Sequence, residues 1–330
     1  MLKDLMHKII PFKFPICIAL NLLSIFIYVG AKAQIVNNPL FNGFYAADPT
    51  IVRYKGEFYV YATKDPWGGD DLAVFKTKDF TTWQQKQINW PTKEQCTSAT
   101  SQKAKVWAPS VVRIKSKFYM YVSVGSEIWA GVADSPLGPW KNIKPDNSPL
   151  IISDFVNGYH MIDAECFVDD DGQAYLYWGS GLNWVNGRCF VVKLKPDMYH
   201  FEDNPQDVTP PHYFEAPYMY KRNGKYYLMY SNGKAIDSTY NIRYAIGNSP
   251  YGPWKEGVNS PILSTAAKDN VIGPGHHTIF TYNNQLYILF HKIFPEKKDD
   301  FLRQLCLAKI EIDKEGNMKQ VKYEERFRLK

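Results

Sequence analysis

The stretch DPTIVRYKGEFYVYAT, which runs from Asp48 to Thr63, recurs with variations four more times along the chain. The later copies are APSVVRIKSKFYMYVS from Ala108, DAECFVDDDGQAYLYWG from Asp163, EAPYMYKRNGKYYLMYS from Glu215 and HHTIFTYNNQLYILFH from His276. Aligned on their second aromatic position, the copies share Tyr59, Tyr119, Tyr175, Tyr227 and Tyr287, at spacings of 60, 56, 52 and 60 residues. A regular period of this length is typical of a repeat protein, in which each copy forms one structural unit.

Each copy has the pattern of two strands joined by a tight turn, for example at Lys55-Gly56 and Asn223-Gly224. A further apolar run such as Leu72-Ala73-Val74-Phe75 follows, and turn signals recur at short intervals without long helical periodicity. This pattern is typical of an all-β protein. Four strands per copy and five copies predict a five-bladed β-propeller around a central channel.

Three of the five copies open on a carboxylate, namely Asp48, Asp163 and Glu215. The opening residue begins the innermost strand of each predicted blade, so these side chains are expected to meet at one mouth of the channel. Taken singly, each has an ordinary explanation, such as an aspartate that caps a turn or a glutamate on the surface. Their recurrence at one repeat position indicates a shared site instead.

Two carboxyl groups that face each other across a pocket are able to hydrolyse a glycosidic bond. One is protonated and donates to the leaving oxygen, while the other is ionised and activates water. Glu215 lies among Tyr213, Phe214 and Tyr218, and this apolar setting favours the protonated form. Asp163 in the neighbouring blade is placed to add a like charge, and Asp48 is the candidate base. The width of a propeller channel favours a gap that admits water, and hence inversion of configuration.

The first 33 residues have the pattern of a secretory signal peptide. Lys3, Lys8 and Lys13 precede an apolar run that ends in Ala31-Lys32-Ala33, a small-residue cleavage pattern. The alternative is an uncleaved anchor, but polar residues interrupt the run and it is short for a membrane span. We therefore expect a secreted or periplasmic protein with residues 1–33 removed, no membrane span after cleavage, and a single propeller domain over residues 34–330.

Charge and cysteine content limit the classes of partner. The leader holds four lysines and one aspartate, which leaves 35 basic and 32 acidic residues in the remainder, a net charge of +3. This balance does not indicate nucleic acid as a partner. The remaining cysteines, at positions 96, 166, 189 and 306, have no spacing typical of a disulfide framework or a metal site, so we expect free thiols. We also expect a monomer.

The chain resembles glycoside hydrolase family 43, a family of five-bladed propellers, over essentially all of the sequence after the leader. The motifs that carry the resemblance occur in order, one per blade: Ala47-Asp48-Pro49, Trp107-Ala108-Pro109, Ile162-Asp163-Ala164, Glu215-Ala216-Pro217 and Gly275-His276. Ala164 and Ala216 stand where the family often has proline and glycine, and both are small residues beside a carboxylate.

The resemblance implies a role for each of six residues. It implies Asp48 as general base, Asp163 as the residue that modulates the pKa of the acid and orients substrate, and Glu215 as general acid, with inversion of configuration. It also implies that Trp107 flanks the bound sugar and that Arg303 contacts the substrate. His276 is expected at the channel, near a calcium ion that it holds through water. No cofactor is expected to be required for the chemistry.

The expected substrate is a pentose-containing glycan of the plant cell wall. The first hypothesis is an exo-acting glycosidase that releases α-L-arabinofuranosyl or β-D-xylosyl units. The alternatives are an endo-arabinanase or endo-xylanase of the same family, and a carbohydrate-binding propeller that has lost catalysis. Retention of all three carboxylates argues against the last of these. Discrimination between the pentoses is expected to lie in the loops at 65–71, 183–188 and 234–240.

Overall fold

Each of the five repeats forms its own antiparallel sheet in the computed structural model, which describes residues 34–294 and 301–329. The predicted all-β, five-bladed propeller is confirmed. The expected signal peptide, residues 1–33, lies outside the described residues. Within the part of the chain that is described, no helix is long and apolar enough to cross a membrane.

The strands of each blade follow one another along the chain and pair in that order. The first blade contains β2 (Ala46–Tyr54), β3 (Glu57–Lys64), β4 (Ala73–Thr77) and β5 (Gln84–Lys86), and the second contains β6 (Val106–Ile114), β7 (Lys117–Val124), β8 (Glu127–Ala133) and β9 (Lys141–Asn142). The third contains β11 (Glu165–Val168), β12 (Ala174–Trp178), β14 (Phe190–Leu194) and β15 (Gln206–Asp207), and the fourth contains β16 (Glu215–Arg222), β17 (Lys225–Asn232), β18 (Asn241–Gly247) and β19 (Lys255–Glu256).

The fifth blade has three strands of its own, β20 (Gly275–Tyr282), β21 (Gln285–Ile293) and β22 (Arg303–Lys309). Here the prediction of four strands in every repeat is wrong, because the start of the chain takes the outer position. Asn38 bonds both backbone groups of Leu307 through its side chain, each at 2.8 Å. Just beyond, β1 (Ile35–Asn37) pairs with β23 (Arg326–Arg328), so the first and last strands of the described residues close the ring together.

Three further short elements lie outside the blades. β10 (Tyr159–His160) pairs with β13 (Ser180–Gly181), and a single turn of 3₁₀ helix spans Ala267–Asp269. The core lies between adjacent blades, where the apolar faces of neighbouring sheets pack together. Tyr61 of the first blade and Trp129 of the second, for example, belong to one cluster and are fully buried. The four cysteines at 96, 166, 189 and 306 are buried free thiols.

Around the channel, one residue at the inner end of each blade has a left-handed backbone conformation. These residues are Asp48, Ala108, Asp163, Ala216 and His276, with φ between 37° and 58°. In four blades the inner strand also shifts register at this point, which is the mark of a β-bulge. Glu215 therefore lies one residue before the position of Asp48 and Asp163. The expectation that all three share one repeat position is correct only for the two aspartates.

Hydrogen bonds join these opening residues from blade to blade, and we call them the inter-blade ring. In each of these bonds, the backbone N–H of an opening residue donates to a side chain near the end of the second strand of the preceding blade. The bonds are Ala108 to Thr63 Oγ1 (2.8 Å), Asp163 to Ser123 Oγ (3.0 Å), His276 to Ser231 Oγ (2.9 Å) and Asp48 to His291 Nδ1 (3.3 Å). The fifth position is Gly179, which has no side chain, and there the Ala216 amide bonds the Asp163 carboxylate instead. The ring thereby holds the backbone of both aspartates at the channel mouth.

Candidate active site

A cavity of about 640 Å³ opens at this mouth of the channel. All six residues singled out in the sequence line it, namely Asp48, Trp107, Asp163, Glu215, His276 and Arg303. They come from all five blades, so the closed ring brings together groups that lie as much as 255 residues apart in sequence. The volume is within the usual range for a pocket that encloses a small ligand.

Asp48 is 2% exposed and is surrounded by donors. Its Oδ2 accepts a hydrogen bond from Thr63 Oγ1 at 2.7 Å, and its Oδ1 accepts one from Arg303 Nη1 at 2.8 Å. Burial acts to raise the pKa of Asp48, but the positive charge of Arg303 holds it well below its usual range. Asp48 is therefore ionised at neutral pH, as a base that accepts a proton must be.

Arg303 is in turn held by Asp65, a residue that the sequence did not single out. Arg303 Nη2 and Nε donate to the two carboxylate oxygens of Asp65 at 2.7 and 3.0 Å, and its backbone N–H donates to the same group at 2.7 Å. A bidentate pair of this kind fixes the plane of the guanidinium. The third arm is left to bind Asp48, and Arg303 remains buried and positively charged between two aspartates.

Two histidines approach Asp48 Oδ1, His276 through Nδ1 at 3.3 Å and His291 through Nδ1 at 3.2 Å. Burial lowers the pKa of His276 to about 4 and also lowers that of His291. Both rings are therefore neutral at pH 7, and Arg303 is the cation that keeps Asp48 ionised. His276 Nδ1 also lies 3.6 Å from Asp163 Oδ2, so His276 sits between two carboxylates.

Glu215 is 8% exposed and has a different environment from Asp48. Its Oε1 accepts a hydrogen bond from the Tyr240 hydroxyl at 2.8 Å and its Oε2 one from Ser180 Oγ at 2.9 Å. Burial raises the pKa of Glu215 to about 7, with the negative charge of Asp48 adding to the effect and the two hydrogen bonds opposing it. Glu215 is thus poised to hold or release a proton near neutral pH.

Asp163 is 3% exposed, and its Oδ1 has no hydrogen-bond partner. Burial raises its pKa well above the usual range, and the charges of Glu215 and Asp48 raise it further. Two buried carboxyl groups that repel each other titrate as a pair. Asp163 and Glu215 together therefore retain a proton to near-neutral pH.

Trp107 forms another part of the cavity wall. Its indole Nε1 donates to the Gly125 carbonyl oxygen at 3.0 Å, and its ring lies 6.2 Å from that of His160. His160 is hydrogen-bonded to Ser126 Oγ at 2.6 Å. One face of the cavity is therefore an aromatic surface with polar groups at its edge, which is a usual lining of a small-molecule site.

The sequence did not single out five residues that contact the carboxylates or Arg303: Thr63, Asp65, Ser180, Tyr240 and His291. His291 was accessible from the pattern, because it ends the fifth copy where Thr63, Ser123 and Ser231 end theirs. Asp65 and Tyr240 lie at the edges of loops that were expected to set specificity. No sequence spacing links Asp65 to Arg303 or Tyr240 to Glu215, since these contacts depend on the conformation of the two loops.

The residues present allow a cation held through water but not one held by the protein alone. Within residues 34–294 and 301–329, no three His, Cys, Asp or Glu side chains are grouped so that they could hold a metal ion. His276 and the unpartnered Asp163 Oδ1 offer one nitrogen and one oxygen. Calcium prefers six to eight oxygen ligands, so water would have to complete its shell.

The arrangement has the parts that hydrolysis of an acetal needs. An ionised carboxylate and a carboxyl group that keeps its proton near pH 7 line one cavity, from blades that lie on different sides of the channel. Opposite pKa shifts in two such groups assign one as base and the other as acid.

Comparison with known proteins supports the same chemistry. Residues 36–318 match the family described as Glycosyl hydrolases family 43. A β-D-galactofuranosidase of Aspergillus niger is 31% identical, over 85% of this chain and 83% of that protein. A β-xylosidase of Xylanibacter ruminicola is 28% identical, over 84% of this chain and 97% of that protein. Among solved structures, an α-L-arabinofuranosidase from Clostridium thermocellum has a TM-score of 0.66 at 28% identity, over 86% of this chain and 95% of that chain.

Proposed function

Because the chain belongs to glycoside hydrolase family 43, we propose that it releases terminal α-L-arabinofuranosyl or β-D-xylosyl units from plant cell-wall glycans with inversion of configuration. It is an O-glycosyl hydrolase that acts on carbohydrate. The names of its relatives support a pentose or another furanose as the sugar that is released. The cavity of about 640 Å³ at the channel mouth supports a pocket that receives a chain end.

The observation that carries the proposal is the contrast between Asp48 and Glu215. Both are buried in one cavity, but the pKa of Asp48 is depressed while that of Glu215 is raised to about 7. Glu215 donates its proton to the glycosidic oxygen as the bond from that oxygen to the anomeric carbon breaks. Asp48 takes a proton from a water molecule, whose oxygen attacks the anomeric carbon from the opposite face.

Asp163 and Arg303 support these two steps without exchanging protons with the substrate. Arg303 keeps Asp48 ionised and fixes its orientation through the bond from Nη1. Asp163 raises the pKa of Glu215 whenever it is itself ionised, because two like charges in a buried site repel. With water attack and departure on opposite faces, the product has the inverted anomeric configuration.

The test is hydrolysis of matched aryl α-L-arabinofuranoside and aryl β-D-xyloside, followed by NMR of the first-formed anomer. We expect turnover of at least one of them with inversion, and loss of on the order of 10²-fold or more in Asp48→Asn. A retained anomer overturns the mechanism. Release of internal oligosaccharides from linear arabinan or xylan, without terminal pentose, would assign an endo-acting enzyme instead.

We further propose that His276 helps to hold a hydrated calcium ion at the channel. When bound, such an ion would polarise nearby water and stabilise the geometry of the site. Treatment with a chelator is expected to lower thermal stability and activity in part, with restoration by calcium. Complete loss that only zinc restores would contradict this proposal, since zinc-dependent hydrolysis follows another mechanism.

We also propose that residues 1–33 direct export and are removed. Mass spectrometry of the secreted or periplasmic protein should then show Gln34 as the first residue. An intact leader on the exported protein would contradict cleavage.

A further inference from the structure

A short two-stranded ribbon outside the blades forms part of the cavity wall. It consists of β10 and β13, in which His160 lies opposite Ser180. The Ser180 hydroxyl bonds Glu215 Oε2, and both His160 and Ser180 line the cavity. One strand of the ribbon therefore carries a donor to the acid, and the other carries an imidazole ring that the acid and the base do not use.

His160 forms a polar pair with Ser126. The two atoms that meet, Ser126 Oγ and His160 Nε2, are 2.6 Å apart, and both residues line the cavity and are half-buried. Burial lowers the pKa of His160, so the ring is neutral at pH 7. A neutral imidazole has one nitrogen that donates a hydrogen bond and one that accepts.

The pair has hydrogen-bonding capacity that the protein leaves open. Among residues 34–294 and 301–329, no group bonds His160 Nδ1, and this atom is not one of the buried unpartnered atoms of that part of the chain. It is therefore open to solvent. A serine hydroxyl both donates and accepts, so Ser126 also has capacity beyond its bond to His160.

The pair lies close to Asp163 in the fold. Ser126 follows Ser123 by three residues, and Ser123 Oγ accepts a hydrogen bond from the Asp163 N–H at 3.0 Å. His160 precedes Asp163 by three residues, which span at most about 10 Å of chain. Two separate segments of the chain thus hold the two members of the pair near this aspartate.

Asp163 in turn marks where the sugar that is released would lie. The charges of both Asp48 and Glu215 act on its carboxyl group, so Asp163 is within range of the base and of the acid. The anomeric carbon must lie between base and acid if water attacks one face and the leaving oxygen is protonated on the other. The sugar ring that carries this carbon is therefore the part of the substrate nearest to Asp163 and to the pair.

Trp107 supplies an apolar surface beside the pair. Its ring lies 6.2 Å from that of His160, and its indole N–H bonds the carbonyl oxygen of Gly125, the residue before Ser126. A sugar ring has an apolar face with hydroxyls at its edge. An aromatic ring with hydrogen-bonding groups next to it matches that distribution.

From this arrangement we infer that Ser126 and His160 together bind one hydroxyl of the sugar that is released, and that this contact selects among sugars. The inference rests on the proposed glycosidase function. A sugar without that hydroxyl would cover the pair and leave its polar atoms unpaired, which is how a site rejects a close analogue. Both residues lie outside the loops at 65–71, 183–188 and 234–240, where the sequence led us to expect specificity.

The test combines substitutions in the pair with removal of single hydroxyls from the substrate. Aryl α-L-arabinofuranosides and aryl β-D-xylosides are prepared with one sugar hydroxyl at a time replaced by hydrogen. For the wild-type protein, loss of the recognised hydroxyl should lower kcat/KM about ten-fold or more. In Ser126→Ala and in His160→Ala the same deletion should cost less than about two-fold, while deletions elsewhere on the sugar keep their effect. Such non-additivity is the signature of a direct contact.

His200 provides the matched control. It also bonds through one ring nitrogen, to Asp197 Oδ2 at 2.8 Å, but it is exposed and does not line the cavity. His200→Ala should leave the effect of every deletion unchanged. If His160→Ala does not fold, Ser126→Ala makes the same comparison with a smaller change of volume. Deletions that cost as much in the folded pair variants as in the wild-type protein would overturn the contact.

A binding measurement separates this inference from the proposed function. Methyl α-L-arabinofuranoside, methyl β-D-xyloside and their deoxy analogues are titrated into Glu215→Gln, alone and combined with Ser126→Ala or His160→Ala. We expect the Kd of the parent glycoside to rise about ten-fold in the combined variants, and that of the analogue without the recognised hydroxyl to change less than about two-fold.

Each result of the two measurements has a distinct meaning. If the wild-type protein hydrolyses no pentoside but binding shows this dependence, the proposed function is wrong and the contact stands. If hydrolysis is found and neither rates nor binding depend on the pair in this way, the contact is wrong and the function stands. Absence of both hydrolysis and binding would overturn both.

Discussion

Asp48 and Glu215 show how two carboxyl groups in one cavity acquire opposite properties. Asp48 lies against the fixed positive charge of Arg303 and accepts a hydrogen bond from Thr63. Glu215 has neutral donors only, Tyr240 and Ser180, and is also buried. A nearby cation favours the charged form, whereas burial without one disfavours it. The difference between base and acid is therefore set by neighbours that come from other blades.

Replacement of Glu215 by Gln removes the proton donor but leaves the base in place. We expect a loss on the order of 10²-fold or more on oligosaccharides, whose leaving oxygen needs protonation. On aryl glycosides with an acidic leaving phenol the loss should be much smaller. Steady-state rates on both substrates measure the difference between the two losses. Asp48→Asn, which should lose activity on both substrates, is the comparison. Equal impairment of Glu215→Gln on good and poor leaving groups would show that Glu215 is not the acid.

The pH dependence of kcat/KM should report the same groups. The raised pKa of Glu215, about 7, places the loss of its proton near neutrality, so activity should fall as pH rises through about 7. The pKa of Asp48 is depressed, so protonation of the base should not limit activity until strongly acid pH. A rate that keeps rising above pH 8 would contradict this assignment of the acid.

Replacement of Asp163 by Asn should move the alkaline limb of that profile to lower pH. The last proton of the Asp163–Glu215 pair leaves against the negative charge of its partner, and Asn carries no charge. Glu57→Gln is the control, because Glu57 bonds Lys76 at a blade turn and does not line the cavity. An alkaline limb that stays in place in Asp163→Asn would remove Asp163 from the role of modulator.

The carboxylates were predictable from the sequence, whereas most of their partners were not. Asp48 and Asp163 recur at one position of the repeat, so periodicity alone places them at the channel mouth. Tyr240 and Asp65 reach the site from the loops between the second and third strands of their blades, which differ in sequence from blade to blade. Their contacts depend on tertiary folding of the loops, which a single sequence does not encode in any regular spacing.

Among the elements, the inner strands are joined by the inter-blade ring, which repeats one hydrogen bond with two kinds of acceptor atom. Thr63, Ser123 and Ser231 use hydroxyl oxygens, and His291 uses Nδ1 where the last blade meets the first. The ring of His291 is also parallel to that of Tyr240, with an angle of 6° and centroids 5.9 Å apart. The histidine therefore contacts both the base and the tyrosine that binds the acid.

Replacement of His291 by Ser should be less destabilising than replacement by Ala. Both changes remove the imidazole and leave a similar cavity. Serine retains an acceptor, as at the equivalent positions of the second and fourth blades. Alanine leaves the buried Asp48 N–H without a partner, which costs about 1–3 kcal/mol. The free energy of unfolding in urea measures the difference between the two variants. Ser123→Ala should lower that free energy by an amount similar to the difference, because it also leaves one backbone N–H of the ring unpaired. Equal free energies of unfolding for the serine and alanine variants would show that the closing bond contributes nothing.

For the whole molecule, the important feature is that the start of the chain completes the last blade. The repeats predicted five blades and their order, but they did not predict that the fifth has only three strands of its own. Its outer position is filled by residues that precede the first repeat and carry no repeat signature. Closure of this kind removes an open edge between the first and last blades.

Asn38 is the residue on which this closure depends most directly. It is 8% exposed, and its side chain donates to the carbonyl oxygens of Leu307 and Glu324, both at 2.8 Å, and accepts from the Leu307 N–H at 2.8 Å. Asn38→Ala leaves these buried groups unpaired. We expect the free energy of unfolding to fall by about 1–3 kcal/mol, with faster hydrogen exchange at Leu307 and its neighbours in β22.

Asn89 offers a matched control within the propeller. It bonds both backbone groups of Trp140, at 2.7 and 2.8 Å, in the same two-sided manner, but it is exposed and joins the first blade to the second. Asn89→Ala should cost less, since water replaces the lost partners, and should leave exchange in β22 unchanged. If the two variants lose equal stability, or if exchange in β22 is the same in both, the chain ends do not hold the fifth blade closed. Faster hydrogen exchange confined to β22 in Asn38→Ala would instead show that the propeller opens first where the first and fifth blades meet.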